Sequence, residues 1–496
     1  MQIVSCPSCG AQVQFRSFAS VVAVCEFCRA TVMKDAESVE DLGKMSSVLE
    51  DFTRIRIGTS GVLGGRNFSV VGRIQLRYSS GMWNEWFIMF DDTSTGWLGD
   101  SSGLYTVTTQ RPFDTPMPAF DGVEPGRQYA IDGQQYTASE KRVAECIGGQ
   151  GELPFRVGEG WQAKVADFRA GALFATLDYS DLEVPTLFTG GAVTLEQMKC
   201  QLLREDEQIR ESAGKYRGKL DALECPSCGT GIKYLPGVTT SLVCPSCQAQ
   251  LDAAGPQAQI LAQGEKVERV RTTVPLGAIA KVSGIEHQVI GVMVRADDEG
   301  SEWSEYLLYN TRSAFFWLVE ADGAWSRADV MSSWPAWQST SADRAEVGEV
   351  SYRKLYDYPA TVRFAAGAFN WRVAAGDVVH VFEFESGQAK LAAELTGQEL
   401  TWSRSTPIAF DQIAAMFGNA LRVDPLRARP QRNASSEALP SNAATKFLWW
   451  ILGLNAIPLL FNFSGTFFYV VLALLAIYLP AKLFAPGGKV QAKDKQ

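Results

Sequence analysis

The chain has 496 residues, too long for one ordinary core, and its 46% hydrophobic and 20% charged content excludes a disordered polymer. The formal charge is −9; the last 51 residues carry +4 (Lys446, Lys482, Lys489, Lys493 and Lys495 against Asp494), so the preceding body is near −13. An acidic body disfavours nucleic acid as a partner, because phosphate affinity comes from Lys and Arg, and it suits cationic partners instead.

Residues 1–34 open on Cys6-Pro7-Ser8-Cys9, then fifteen residues, then Cys25-Glu26-Phe27-Cys28. Four thiolates at this spacing, on two tight turns between short strands, are the pattern of a zinc ribbon. A unit this small buries too little apolar surface to fold without the ion, and four Cys leave no position for a reactive water, so the zinc is expected to be structural. Met1 to Ser5 is too short for the apolar core of a signal peptide, which fits reduced thiols in the cytoplasm. Residues 35–52 are acidic and mildly helical in pattern, and read as a connector.

Residues 53–193 read as a first β-domain. Phe68 to Tyr78 alternates with period two, and Trp83 to Phe90 is dense in aromatic and β-branched residues. The Gly-rich run Gly58 to Arg66 lacks the Lys-Ser/Thr ending and following helix of a phosphate loop, and reads as a hairpin or bulge. In residues 194–222 the period changes. Thr194 and Gln197 form a capping-box pattern, and Leu195, Met198, Leu202, Ile209 and Ala213 make an apolar stripe, so a connecting helix is expected.

The start then repeats. Cys225-Pro226-Ser227-Cys228 and Cys244-Pro245-Ser246-Cys247 stand 219 residues after the first quartet, in a second ribbon over 223–252. A second β-domain covers 265–422. Val289-Ile290-Gly291 stands 219 after Val70-Val71-Gly72, and Trp303-Ser304-Glu305-Tyr306 stands 220 after Trp83-Asn84-Glu85-Trp86. Gly367 to Val373 stands 216 after Gly151 to Val157. An offset this long is a duplication and not a solenoid, whose period is about 20–50 residues. The expected fold is mainly β: two zinc ribbons, each followed by a sandwich or barrel-like domain, one connecting helix, and a C-terminal transmembrane helical hairpin.

That hairpin is read from residues 446–484. A flexible linker (423–445) precedes it and a basic tail (485–496) follows. Phe447 to Phe463 and Thr466 to Ala481 carry no charge, and each is long enough, at ~1.5 Å per residue, for a thin hydrocarbon core. A hairpin keeps the flanking lysines on one side, which the positive-inside rule favours over a single span. Residues 447–484 are thus expected to meet a lipid bilayer, with the bulk of the chain in the cytoplasm.

Within the β-domains the Trp-x-Glu-aromatic string occurs twice. Alternation puts Trp83 and Glu85 on one face and Trp86 on the other. Glu85 and Glu305, framed by Trp83 and Trp303, are candidates to bind a cation such as a polyamine, against the plainer reading of a core strand. Arg156 and Arg372 are the natural ion-pair candidates for those carboxylates. His287 and His380 lack a triad partner in the sequence and read as structural, so no catalytic constellation is assigned. Cys146 and Cys200 stand outside both quartets.

On the cysteine quartets, Trp303-x-Glu305-Tyr306 and Gly151-Glu152-Leu153-Pro154-Phe155-Arg156-Val157, the chain resembles a bacterial family called domain of unknown function 4178, often preceded by a zinc ribbon. The resemblance covers most of residues 1–420. It implies a β-rich cytoplasmic domain of undetermined activity and, from the company its genes keep, a membrane-associated assembly at the inner membrane. Trp86 replaces the family's Tyr and Asn370 its Pro, so a ligand site is expected intact in only one copy. These readings together lead to a scaffold holding protein partners at the membrane, with a sensor of a small cation as the alternative.

Overall fold

The computed structural model describes residues 2–16, 19–28, 30–34, 39–44, 48, 51, 53–78, 81–101, 103–155, 161–180, 184–212, 223–232, 241–252, 259–262, 272–310, 314–422 and 467–472. The chain divides into two compact units, Met1–Asp424 and Pro425–Gln496. The first holds both repeats.

Each repeat is an eight-stranded antiparallel barrel. The first is built from β1 (Arg66–Tyr78), β2 (Gly81–Phe90), β3 (Thr95–Ser101), β4 (Leu104–Arg111), β5 (Gln134–Leu153), β6 (Gln162–Ala170), β7 (Leu173–Asp178) and β8 (Thr186–Val193). The order runs β1-β2-β3-β4-β8-β7-β6-β5, and β5 pairs back onto β1, which closes the sheet. The second repeats this plan with β9 (Ile285–Ala296), β10 (Glu302–Asn310), β11 (Ala314–Ala321), β12 (Ala324–Val330), β13 (Val350–Phe369), β14 (Val378–Ser386), β15 (Ala389–Leu395) and β16 (Leu400–Ile408). Of the two architectures left open by the sequence, the barrel is the one formed; closure removes the edges a sandwich would leave.

Closure depends on the long strands β5 and β13. Each pairs with a barrel neighbour along its first half and crosses onto the first barrel strand in its second half. At the crossing two glycines face each other, Gly72 with Gly151 and Gly291 with Gly367. A Cβ on Gly151 would stand 2.4 Å from the Val71 carbonyl oxygen, and one on Gly367 2.3 Å from that of Ile290. Both residues also have positive φ (72° and 97°). The duplicated glycines therefore mark where two backbones pass too closely for a side chain.

The outer barrel walls are covered by flanking segments. In the first repeat Ile55, Leu195 and Met198 pack on Phe68, Val70, Trp86, Ile88 and Leu98. The Gly-rich run forms the expected hairpin, Ser60–Leu63 against β1, with Leu63 opposite Arg66. In the second repeat α2 (Phe410–Phe417) seals the matching wall with Ile413 and Phe417.

The helix expected over 194–222 is shorter and starts later. Thr194 and Gln197 do make both capping hydrogen bonds, at 2.9 and 3.1 Å. One turn follows, Lys199 and Leu202 take positive φ, and helix α1 spans Asp206–Ser212. Docking of Leu195 and Met198 into the barrel wall outweighs the helical period there. Residues 213–222 lie outside the described residues. The 35–52 connector, read as mildly helical, contains a strand instead, Val39–Lys44, which pairs with Ala30–Lys34 and satisfies its open backbone edge. No helix among the described residues is long and apolar enough to cross a membrane. The segment 446–484 lies outside the described residues except for 467–472, which are helical.

Candidate functional site

The two cysteine quartets converge as their spacing requires. Cys6, Cys9, Cys25 and Cys28 form one cluster and Cys225, Cys228, Cys244 and Cys247 the other, with all four sulfurs of each within 4.8 Å of one another. Sγ–Sγ separations are 3.6 Å for Cys6–Cys28 and 3.7 Å for Cys9–Cys25, and 3.7 Å for both Cys225–Cys247 and Cys228–Cys244. Four sulfurs at ~2.3 Å from a shared centre in a tetrahedron lie about 3.8 Å apart, so the donor set fits a metal ion of zinc's size. The turns are held by their own backbone: Gly10 N–H donates to Cys6 O and Gly229 N–H to Cys225 O, both at 2.8 Å, and Gln248 N–H donates to Cys244 O at 3.0 Å. Gly10, Gly229 and Gln248 all have positive φ, the strain being carried by a non-glycine only at Gln248.

The ribbons do not hang from the barrels on loops. Val22–Val24 pairs with Gly151–Leu153 of β5, and Ser241–Val243 pairs with Gly367–Phe369 of β13. Each ribbon extends the sheet of its own barrel and shares its apolar core. In the first repeat Glu152, 3% exposed, fastens the join by accepting from Ser20 Oγ at 2.8 Å and Arg16 N at 2.7 Å. Ala368 occupies that place in the second repeat, where no such clamp is possible.

The Trp-x-Glu strings form the second candidate. Strand alternation holds: Trp83 and Glu85 share one face of β2, and Trp86 is buried on the other. Because the Trp86 face is covered from outside, the Glu85 face is the lumenal one. The indole of Trp83 donates to Glu85 Oε1 at 2.8 Å, and that of Trp303 to Glu305 Oε1 at 2.7 Å. Beyond this the copies differ. Arg295 of β9 reaches Glu305 at 3.5 Å and donates to Glu394 of β15 at 3.0 Å, bridging the second lumen. Leu76 stands at the corresponding place in the first repeat. There the lumenal cation is Arg142 of β5, stacked 4.0 Å over the Trp83 ring, and it pairs with Asp167 at 2.8 Å and with Glu140. Among the described residues no cation lies at ion-pair distance from Glu85. Burial, reinforced by the charges of Asp167 and Asp178 and opposed by the Trp83 hydrogen bond and Arg142, pushes its carboxyl up to about 7.

The expected partner of Glu305 is not the one found. Arg372 approaches Gln250 at 3.5 Å, and Glu305 takes Arg295 instead. Arg156 lies outside the described residues. His287 is buried, edge-on to Phe316, with its Nδ1 against Ile285 O at 3.2 Å. His380 lies against Asp357. Cys146 and Cys200 are packed among apolar side chains and burial pushes both thiols up to about 11.

Sequence reasoning missed a buried polar network on the outer wall of the first barrel. Arg73 pairs with Asp51 at 2.7 Å, Asn84 Nδ2 donates to the same carboxylate at 2.7 Å, and Arg204 Nη1 donates to Asp51 O at 2.8 Å. The second repeat has Val292 and Ser304 at positions 73 and 84. The available signal was Arg73 and Gln75 alternating with Ile74 and Leu76 inside a strand.

The profile of a family described as domain of unknown function (DUF4178) matches residues 56–194 and 275–410, more than half of the chain. No curated protein and no solved structure matches. The two matched segments coincide with the two barrels, and the chain belongs to the DUF4178 family, carrying its domain twice.

Proposed function

We propose that the chain is a binding scaffold in which zinc, held as a structural ion by each four-thiolate cluster, stiffens two barrels that offer surfaces to partner proteins. The observation behind this reading is the splicing of each metal cluster into the sheet of its barrel. A four-thiolate centre has no open position for water, so its contribution is rigidity and not chemistry. Two domains of one kind at a fixed spacing favour bivalent engagement. Residues 447–484 are the proposed tether, placing the body on the cytoplasmic face of a bacterial inner membrane. The test is capture after gentle crosslinking with the full chain and with a form ending at Asn442. The same proteins should accompany both forms; nothing specific with either removes the scaffold reading. A reduced preparation should carry about two zinc per chain.

A second reading is favoured by one asymmetry. Glu85 has no ion-pair partner among the described residues, whereas Arg295 neutralises Glu305. The first lumen is then the one suited to a small cation such as a polyamine. Calorimetry with spermidine tests it: heat that disappears in Glu85→Gln supports it, and no heat at millimolar ligand ends it.

A further inference from the structure

The two repeats meet head to tail. Repeat one supplies Gln128, the free edge of β5 and the β6–β7 hairpin. Repeat two supplies residues 331–337 and the β15–β16 hairpin, and a separate bridge joins its Trp371 to Gly81 at the start of β2. Lys141 N–H donates to Gln398 O at 3.0 Å, with Glu140 bridged to Glu399. Trp334 N–H donates to Gly171 O at 2.9 Å, Gln128 Nε2 to Trp337 O at 2.9 Å, and Arg169 Nη1 to Ser332 O at 3.4 Å.

Duplication gives each surface a counterpart that this contact leaves unused. The counterparts of Gln128, Lys141, Arg169 and Gly171 are Arg344, Asp357, Glu385 and Gly387, all 216 residues on. The β13 edge between Arg353, where pairing with residues 344–347 ends, and Thr361, where pairing with β9 begins, has no strand beside it among the described residues. Tyr356 on that edge is 59% exposed and Val350 nearby 48%. The counterpart of residues 331–337 is 111–117 of repeat one, where Arg111 and Asp114 are exposed. A heterologous contact between like bodies is not self-complementary, so it adds further bodies until its rotation closes a ring, or without limit where it does not.

We propose that the 344–357 and 385–387 face of repeat two binds the 111–117 face of repeat one from a second copy of the chain, so that chains add end to end. The charges have changed together in the sense this requires. Arg169 has become Glu385, and Met331, beside the Ser332 that Arg169 contacts, corresponds to Arg111. Glu385 and Arg111 are therefore brought together across the new junction. Asp114 likewise faces an acceptor surface carrying Arg344 and Arg353. Arg353, with a side chain 71% exposed, pairs with Glu385 at 3.0 Å within the chain, and the junction would share that pair with Arg111 and Asp114. Pro359 lacks an N–H, so this edge takes a short segment, as β5 does, and not a full added strand. The proposal is independent of the scaffold reading, since partner capture can succeed whether or not chains associate.

Sedimentation velocity of the full chain in mild detergent, over a concentration series, tests it. The expected mass rises with concentration and does not level off at two chains. Glu385→Arg or Arg111→Glu alone should lower it, and the two reversals together should restore it, with melting temperatures matched to the parent. A single-chain mass throughout overturns the proposal. So does association that neither reversal changes, which would place it elsewhere, in residues 447–484 for example.

Discussion

Glu85 and Glu305 hold the same place in two barrels and the same bond to a tryptophan, yet their surroundings differ in one cation. In the first lumen Arg142 spends its charge on Asp167 and Glu140. The raised carboxyl of Glu85 then has a defined consequence for stability. Below its unfolded value, near 4.5, both states are protonated and nothing is lost; as pH rises toward about 7 only the unfolded state gives up its proton, so the fold weakens, and above that the loss is complete. Glu85→Gln removes a charge that burial opposes, and keeps an acceptor for Trp83. It should be near neutral at pH 4.5 and stabilising at pH 8, by about 3 kcal/mol at most. Burial raises the Glu305 carboxyl too, but Arg295 opposes the shift, so Glu305→Gln should stabilise less at pH 8 than Glu85→Gln does. Denaturant unfolding at the two pH values checks both; destabilisation by Glu85→Gln at pH 8 would mean a cation pairs with it after all. The alternation of Trp83 and Glu85 could be read from the sequence. The charges around them could not: Arg142 reaches the first lumen from β5, distant in the chain, and Arg295, on the strand paired with that of Glu305, has Leu76 at its place in the first copy.

At the scale of elements, the long strands β5 and β13 join barrel to ribbon. Their crossing glycines appear in the sequence only as the first letter of a recurring motif, and the reason for them is steric. Gly151→Ala should cost several kcal/mol, since the methyl meets the Val71 carbonyl and the backbone has positive φ. Gly58→Ala, at φ 89° but with open space around the added methyl, should cost only about 1–2 kcal/mol. Equal losses in thermal or denaturant unfolding would show that φ alone, and not the crossing, sets the demand. The expected long helix after Thr194 failed for a related reason. Local capping formed, but tertiary docking of Leu195 and Met198 claimed the segment, and a residue period cannot report which wall it will meet.

Within the unit Met1–Asp424, the cysteine clusters and barrels are one structure and not beads on a string. Removing metal under reducing conditions should strip amide protection from Val22–Val24 and Ser241–Val243 while β2 and β3, and β10 and β11, retain it. Hydrogen exchange before and after chelation reads this directly. Ribbon strands that stay protected without metal would show that the barrels, and not the ions, hold them. Duplication, the cysteine quartets and the β character were legible in the chain alone, because spacing and period are local or strictly repeated quantities. Barrel closure, the welding of each ribbon to its barrel, the bridge from Arg295 to Glu394 across the second lumen, and the head-to-tail meeting of the repeats depend on contacts between residues far apart in sequence. Such contacts are chosen by packing and charge compensation in three dimensions, which no period along the chain encodes.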